Sequence, residues 1–162
     1  AISPRQDTIT VSIADENNPY QIIESENIYL QPDGSGTAKF TLADNFNRYY
    51  LIITHRNSIK TWSRLNGEMF SSNAMNYDFS LNSSMAYGGN MKMVNSQAYI
   101  YSGDVDQDGT IDGSDLSHVD NFIGAPNSGY ILSDINNDGI TDGADISQVE
   151  NNIMHSINAI AP

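Results

Sequence analysis

A chain of 162 residues with 39% hydrophobic residues suffices for one sizeable domain, or for a modest one beside a small stapled one; the absence of cysteine excludes a disulfide framework. The net charge of −13, from 20 acids and 7 bases, argues against nucleic acid and against anionic membrane surfaces as partners. No run approaches the roughly 18 to 20 apolar residues of a membrane span, and a secreted form is expected to have lost its signal peptide before Ala1.

From Thr8 to about Tyr101 short runs alternate with period two and are broken by Asn, Asp, Gly and Pro, the pattern of half-buried antiparallel strands. Ile9, Val11 and Ile13 share a face. After the turn-forming Pro32-Asp33-Gly34-Ser35-Gly36 come Ala38, Phe40 and Leu42, then the near-continuous apolar stretch Tyr49 to Thr54, which reads as a central strand. Tyr77 with Phe79, and Tyr99 with Tyr101, repeat the alternation, whereas Met69 to Met75 and Asn82 to Gly89 read as loops. About seven or eight strands so spaced predict a β-sandwich over residues 1–101.

Past Ser102-Gly103 the texture changes. Every Lys and Arg lies at or before Lys92, and the remainder of the chain carries eleven acids and no base. Such a block is either disordered or neutralised by bound cations, and its apolar spacing favours the second. Leu116, Val119, Phe122 and Ile123 fit one helix face, and Ile146, Val149, Ile153 and Met154 a second. Residues 102–162 are therefore expected to form a small all-α domain of two repeats related by a 30-residue shift.

The shift superposes Asp104 on Asp134, Asp106 on Asn136, Asp108 on Asp138, Gly109 on Gly139, Asp112 on Asp142 and Asp115 on Asp145. Oxygen donors thus fall at loop positions 1, 3, 5, 9 and 12, with glycine at position 6, as in EF-hand-like loops. Calcium takes six to eight oxygens at about 2.3 to 2.6 Å, which a looping backbone with alternate side chains turned inward supplies. Position 7 offers a backbone carbonyl, from Thr110 and Ile140, and Asp112 and Asp142 at position 9 commonly act through a water. Two calcium ions are expected, one in Asp104 to Asp115 and one in Asp134 to Asp145. The first loop has Ile111 at position 8 and the second Thr141, with Ile140 one place earlier; weaker packing between the loops is expected.

Gly103-Asp104-Val105-Asp106-Gln107-Asp108-Gly109 through Asp115-Leu116, repeated as Ser133-Asp134 through Asp145-Ile146, resembles the duplicated motif of the dockerin family. The resemblance implies a noncatalytic, calcium-dependent domain that attaches a secreted protein to a cohesin-type partner or a cell-surface scaffold. It also implies that loop positions 10 and 11, Gly113-Ser114 and Gly143-Ala144, face the partner. Where many dockerins carry basic residues on the following helix, this chain has Asp120-Asn121 and Glu150-Asn151. The preceding region, through Tyr49-Tyr50-Leu51 and His55-Arg56-Asn57-Ser58 to Trp62, is similar to immunoglobulin-like or transthyretin-like modules of secreted bacterial proteins; that similarity concerns fold and assigns no activity.

No cysteine, Gly-x-Ser-x-Gly elbow, phosphate loop or zinc-type histidine cluster is present, and His55, His118 and His155 are scattered, so no enzyme is expected. His118 on the first helix is either partner-facing or a solvated helix residue. His55-Arg56 is a polar binding pair or surface packing; Trp62 with Tyr49 or Tyr50 is a sugar platform or core. The function expected is an extracellular module pair attaching to another protein. The alternative is a calcium-rigidified structural subunit that assembles with copies of itself into a surface layer or filament through Ala1-Ile2-Ser3-Pro4 and the apolar end Ile157 to Ile160.

Overall fold

The computed structural model describes residues 7–123 and 131–162; the expected extended start, Ala1 to Pro4, lies outside the described residues. A β-rich region is followed by a small helical region. Four strands, β1 (Thr8–Asp15), β2 (Ile22–Tyr29), β3 (Arg48–His55) and β4 (Ser58–Trp62), form an antiparallel sheet in the order β2-β1-β3-β4. The two-residue β5 (Glu68–Met69) also pairs with β3, and β6 (Lys92–Val94) with β7 (Gln97–Tyr99) makes a separate two-stranded sheet.

Strand β3 has the near-continuous apolar run because both its faces are covered. Tyr49, Leu51 and Ile53 lie on one side with Ile13 and Val11, while Tyr50 and Ile52 lie on the other with Ala14 and Trp62. The first face is closed by Phe40, Phe70, Tyr77 and Phe79, and the second by Tyr87 and the chain end at Ala159 and Ala161. Trp62 is 9% exposed, which makes it a core residue and not a sugar platform.

Two expected strands are absent. Ala38 and Phe40 point at the sheet as the alternation requires, but their segment joins no ladder. The cause is the edge strand β2: its Glu24 carboxylate accepts the backbone N–H of Thr41 and of Leu42, both at 2.8 Å, and its Glu26 carboxylate accepts that of Lys39. Charged side chains thus take the donors that a neighbouring strand's carbonyls would have taken. Tyr77 and Phe79 likewise pack edge to face at a bend leading into a short 3-10 turn, which Asp78 caps by accepting the N–H of Ser80.

The helical region holds α1 (Gly113–Phe122) and α2 (Gly143–Ile153). Val105, Ile111, Val119, Ile135, Val149 and Ile157 form its core, and Ile59 of β4 belongs to the same cluster. Leu116, Ile146 and Ile153 pack against it, but Phe122, Ile123 and Met154 are exposed. Ile123 and Met154 fall at the helix ends, where the chain leaves the helical path that would have brought them inward.

Candidate calcium centres

Each loop runs into its helix through the same device. Asp112 and Asp142 are N-caps in extended conformation, accepting the N–H of Ser114 and of Ala144 at 2.7 and 2.8 Å. Asp115 and Asp145 complete a capping box by accepting the N–H of Asp112 and of Asp142, each at 2.9 Å. The other oxygen of Asp115 reaches back to the N–H groups of Val105 and Asp106 at 2.7 and 3.2 Å, and that of Asp145 to Ile135 and Asn136 at 2.7 and 3.1 Å. One fully buried carboxylate in each repeat therefore joins the start of the loop, its ninth position and the helix. Gly109 and Gly139 make the reversal at φ of 90° and 93°, a region in which a side chain is strained.

In the first loop Asp104, Asp106 and Asp108 bring ligand oxygens within 4.8 Å of one another. Asp104 is 1% exposed, and its Oδ1 has no hydrogen-bond partner among the described residues. Burial, reinforced by the carboxylates of Asp115, Asp108 and Asp106 against the opposing N–H of Gly109, pushes the Asp104 carboxyl up to about 6. Burial also raises Asp115, against the three backbone N–H groups that favour its charge. A buried oxygen without a donor, amid acids and in a stretch without a base, fits a hard divalent cation.

The second loop is arranged differently. Both oxygens of Asp134 accept backbone N–H groups, from Asp138 at 3.1 Å and Gly139 at 2.9 Å, and the Asn136 amide donates to Asp138 at 3.1 Å. Of the position-7 residues, Thr110 bridges to Asn158 and Ile140 is 58% exposed. At position 8, Ile111 gives its N–H to the carbonyl of Ile157 at 3.0 Å, and the Thr141 hydroxyl meets that of Ser133 at 2.9 Å. The chain end therefore occupies the place beside the first loop, and Ile157 to Ile160 lie against their own chain: Ile157 in the core and Ala159 bonded to Gly109.

Gly113, Ser114, Gly143 and Ala144 are exposed in the first turns of the two helices, and His118 is exposed one turn further along α1. Ser114 is also tied inward, its hydroxyl donating to Asp106 at 2.8 Å and to Asp112 at 2.9 Å. Sequence reading missed the role of Arg56 and Asn57. They sit in the turn between β3 and β4 and donate to backbone carbonyls at the start of the second loop; the only signal was the reading of His55-Arg56 as a polar binding pair, which named no contact with the loop. His55 is held locally, between Asp7 at 2.9 Å and Ser58 at 3.0 Å.

A duplicated loop-to-helix unit with acids at alternate loop positions defines a small metal-loop domain. Residues 102–154 match the dockerin type I domain, which supports a dockerin-like domain in the C-terminal part of the chain. Dockerin domains are noncatalytic, bind calcium and attach to cohesin-type protein partners, and they occur in secreted or cell-surface proteins. No curated protein and no solved structure matches the chain. Among the described residues no helix is long and apolar enough to cross a membrane.

Proposed function

We propose that this chain is a noncatalytic, extracellular attachment module in which two calcium ions fold and stiffen a dockerin-like domain that binds a cohesin-type protein. The observation that carries the reading is the buried, donorless oxygen of Asp104 within a loop whose ends are fixed by Asp115, in a repeat that recurs 30 residues later. The first ion is held by Asp104, Asp106, Asp108, the Thr110 carbonyl, Asp112 and Asp115. The second is held by Asp134, Asn136, Asp138, the Ile140 carbonyl, Asp142 and Asp145. Calcium is plentiful enough outside cells to fill even weak loops of this kind.

Residues 1–101 are read as a sandwich-type module, supported by a β3 covered on both faces, and 102–162 as the attachment domain. Gly113, Ser114, His118, Gly143 and Ala144 form the partner surface; all five are exposed, and the small size of Gly113, Ser114, Gly143 and Ala144 leaves a partner's side chains room to approach the helix starts. Immobilised calcium-loaded protein is expected to retain a cohesin-type module and release it on chelation. Retention unchanged by chelation, or unchanged by Ser114→Arg with Ala144→Arg, would contradict the assignment.

A further inference from the structure

The two calcium loops are anchored at their first residue in different ways. In the first loop the Asp104 carbonyl accepts the side-chain amide of Gln107, from the same loop, at 2.5 Å, and that amide also donates to the carbonyl of Ser58 on β4 at 3.3 Å. The corresponding carbonyl of Asp134 accepts instead from Arg56 at 2.9 Å and from Asn57 at 3.1 Å, both on the turn between β3 and β4. Arg56 also donates to the carbonyl of Ile131 and, at 3.4 Å, to Oδ1 of Asn137, while Asn57 donates to the carbonyl of Leu132 at 3.1 Å. Three backbone carbonyls on the approach to the second loop, and the side chain at its fourth position, are therefore held from the sheet.

This is a built contact. The Arg56 side chain is 6% exposed and Asn57 1%. Asp7 lies 3.8 Å from the Arg56 guanidinium and offsets its charge, so the contact works through geometry and does not stand in for the ion. The consequence is visible in cover: the side chains at positions 3 to 5 are exposed in the first loop and half-buried in the second. The second loop has one carboxylate fewer, with Asn136 where the first has Asp106, and thus less charge with which to organise itself around a cation.

We infer that Arg56 and Asn57 are positioning residues for the second calcium loop, whose first carbonyl their side chains hold from the sheet, whereas neither side chain grips the first loop. The inference rests on the reading that both loops bind calcium. Groups that orient ligands without touching the metal typically change its affinity by about 10- to 100-fold when removed, and a fork that grips two carbonyls at once is not replaced by a lysine.

The amide resonances of Gly109 and Gly139, at the sixth position of each loop, report filling separately. Calcium titration of the full chelated chain, followed by these two resonances, compares wild type with Arg56→Lys and with Asn57→Ala. The expected result is a Gly139 midpoint raised about tenfold or more in both variants, with the Gly109 midpoint unchanged. Midpoints that rise together would mean a general loss of stability, and a Gly139 midpoint that does not move would mean no positioning role; either overturns the inference. A wild-type chain in which Gly139 never responds to calcium is a different failure, because it removes the second ion and the two-site reading with it. Asn57→Ala keeps the guanidinium in place and guards against a variant of Arg56 that does not fold.

Discussion

Asp104 is the residue on which the metal chemistry turns, because its carboxylate is the most costly to leave bare. Its carboxyl lies at about 6 in the folded chain against an ordinary value of 3.8, so between those values the folded, metal-free chain holds the proton more tightly than the unfolded one. This group therefore favours the metal-free fold at low pH, and that contribution is lost as pH rises through about 6. Calcium and the proton compete for the same oxygens, so calcium affinity of the first loop should fall as pH drops from 7 through 6. Calorimetry in buffers of different ionisation enthalpy should detect a proton released on binding near pH 6 and little release at pH 7.5. The spacing of the loop acids was legible from sequence, and Asp104, Asp106 and Asp108 do come together, since a single loop sets their separation along the chain. Arg56 and Asn57 were not, because they meet the loop only after the sheet has folded and their distance from it along the chain carries no local period.

The helices depend on their loops. At 10 and 11 residues each falls short of the length at which a helix persists alone in water, and neither has a basic residue in its last turn to oppose the dipole. Their stability comes from the capping boxes and from Val119 and Val149, both fully buried. Chelation should lower the helical circular dichroism signal and calcium should restore it. Asp142→Ala should cost about 1 kcal/mol through the cap in the chelated chain, and more with calcium present if the same residue also serves the ion. Thermal denaturation with and without calcium separates the two contributions. The helix faces were legible around Leu116, Val119, Ile146 and Val149, where period and burial agree. The strand expected at Ala38 to Leu42 shows the limit: the alternation correctly gave the inward face of Phe40, but the fate of backbone donors depends on Glu24 and Glu26 across the edge, which no local pattern reveals.

At the scale of the molecule, the boundary near residue 102 marks a change of texture and not a gap in packing. Ile59 of β4 is 1% exposed within the helical region's core, Gly103 donates to the Asn57 carbonyl at 2.7 Å, and the Asn152 side chain donates to the Ser102 carbonyl at 2.6 Å. The chain end returns across the first loop to the sheet, where Ala159 and Ala161 cover Tyr50 and Ile52, and the Tyr20 hydroxyl donates to the carbonyl of Pro162 at 2.7 Å. Ile59→Ala should cost about 2 to 5 kcal/mol and lower the melting temperature of both regions together, followed by near-ultraviolet signals of Trp62 and far-ultraviolet signals of the helices. Separate transitions already present in the calcium-loaded wild type would contradict a shared core. Composition and charge made the two textures plain; the joint between them was illegible because Ile59 belongs by sequence to a strand and by contact to the helices.

Calcium stoichiometry of the chelated chain, measured by titration calorimetry, tests the account most directly. Two ions per chain, reduced to one by Asp104→Ala and to one by Asp134→Ala, is the predicted result. Fewer than one ion bound by the wild-type chain would contradict it and return the acidic repeats to the status of solvated turns.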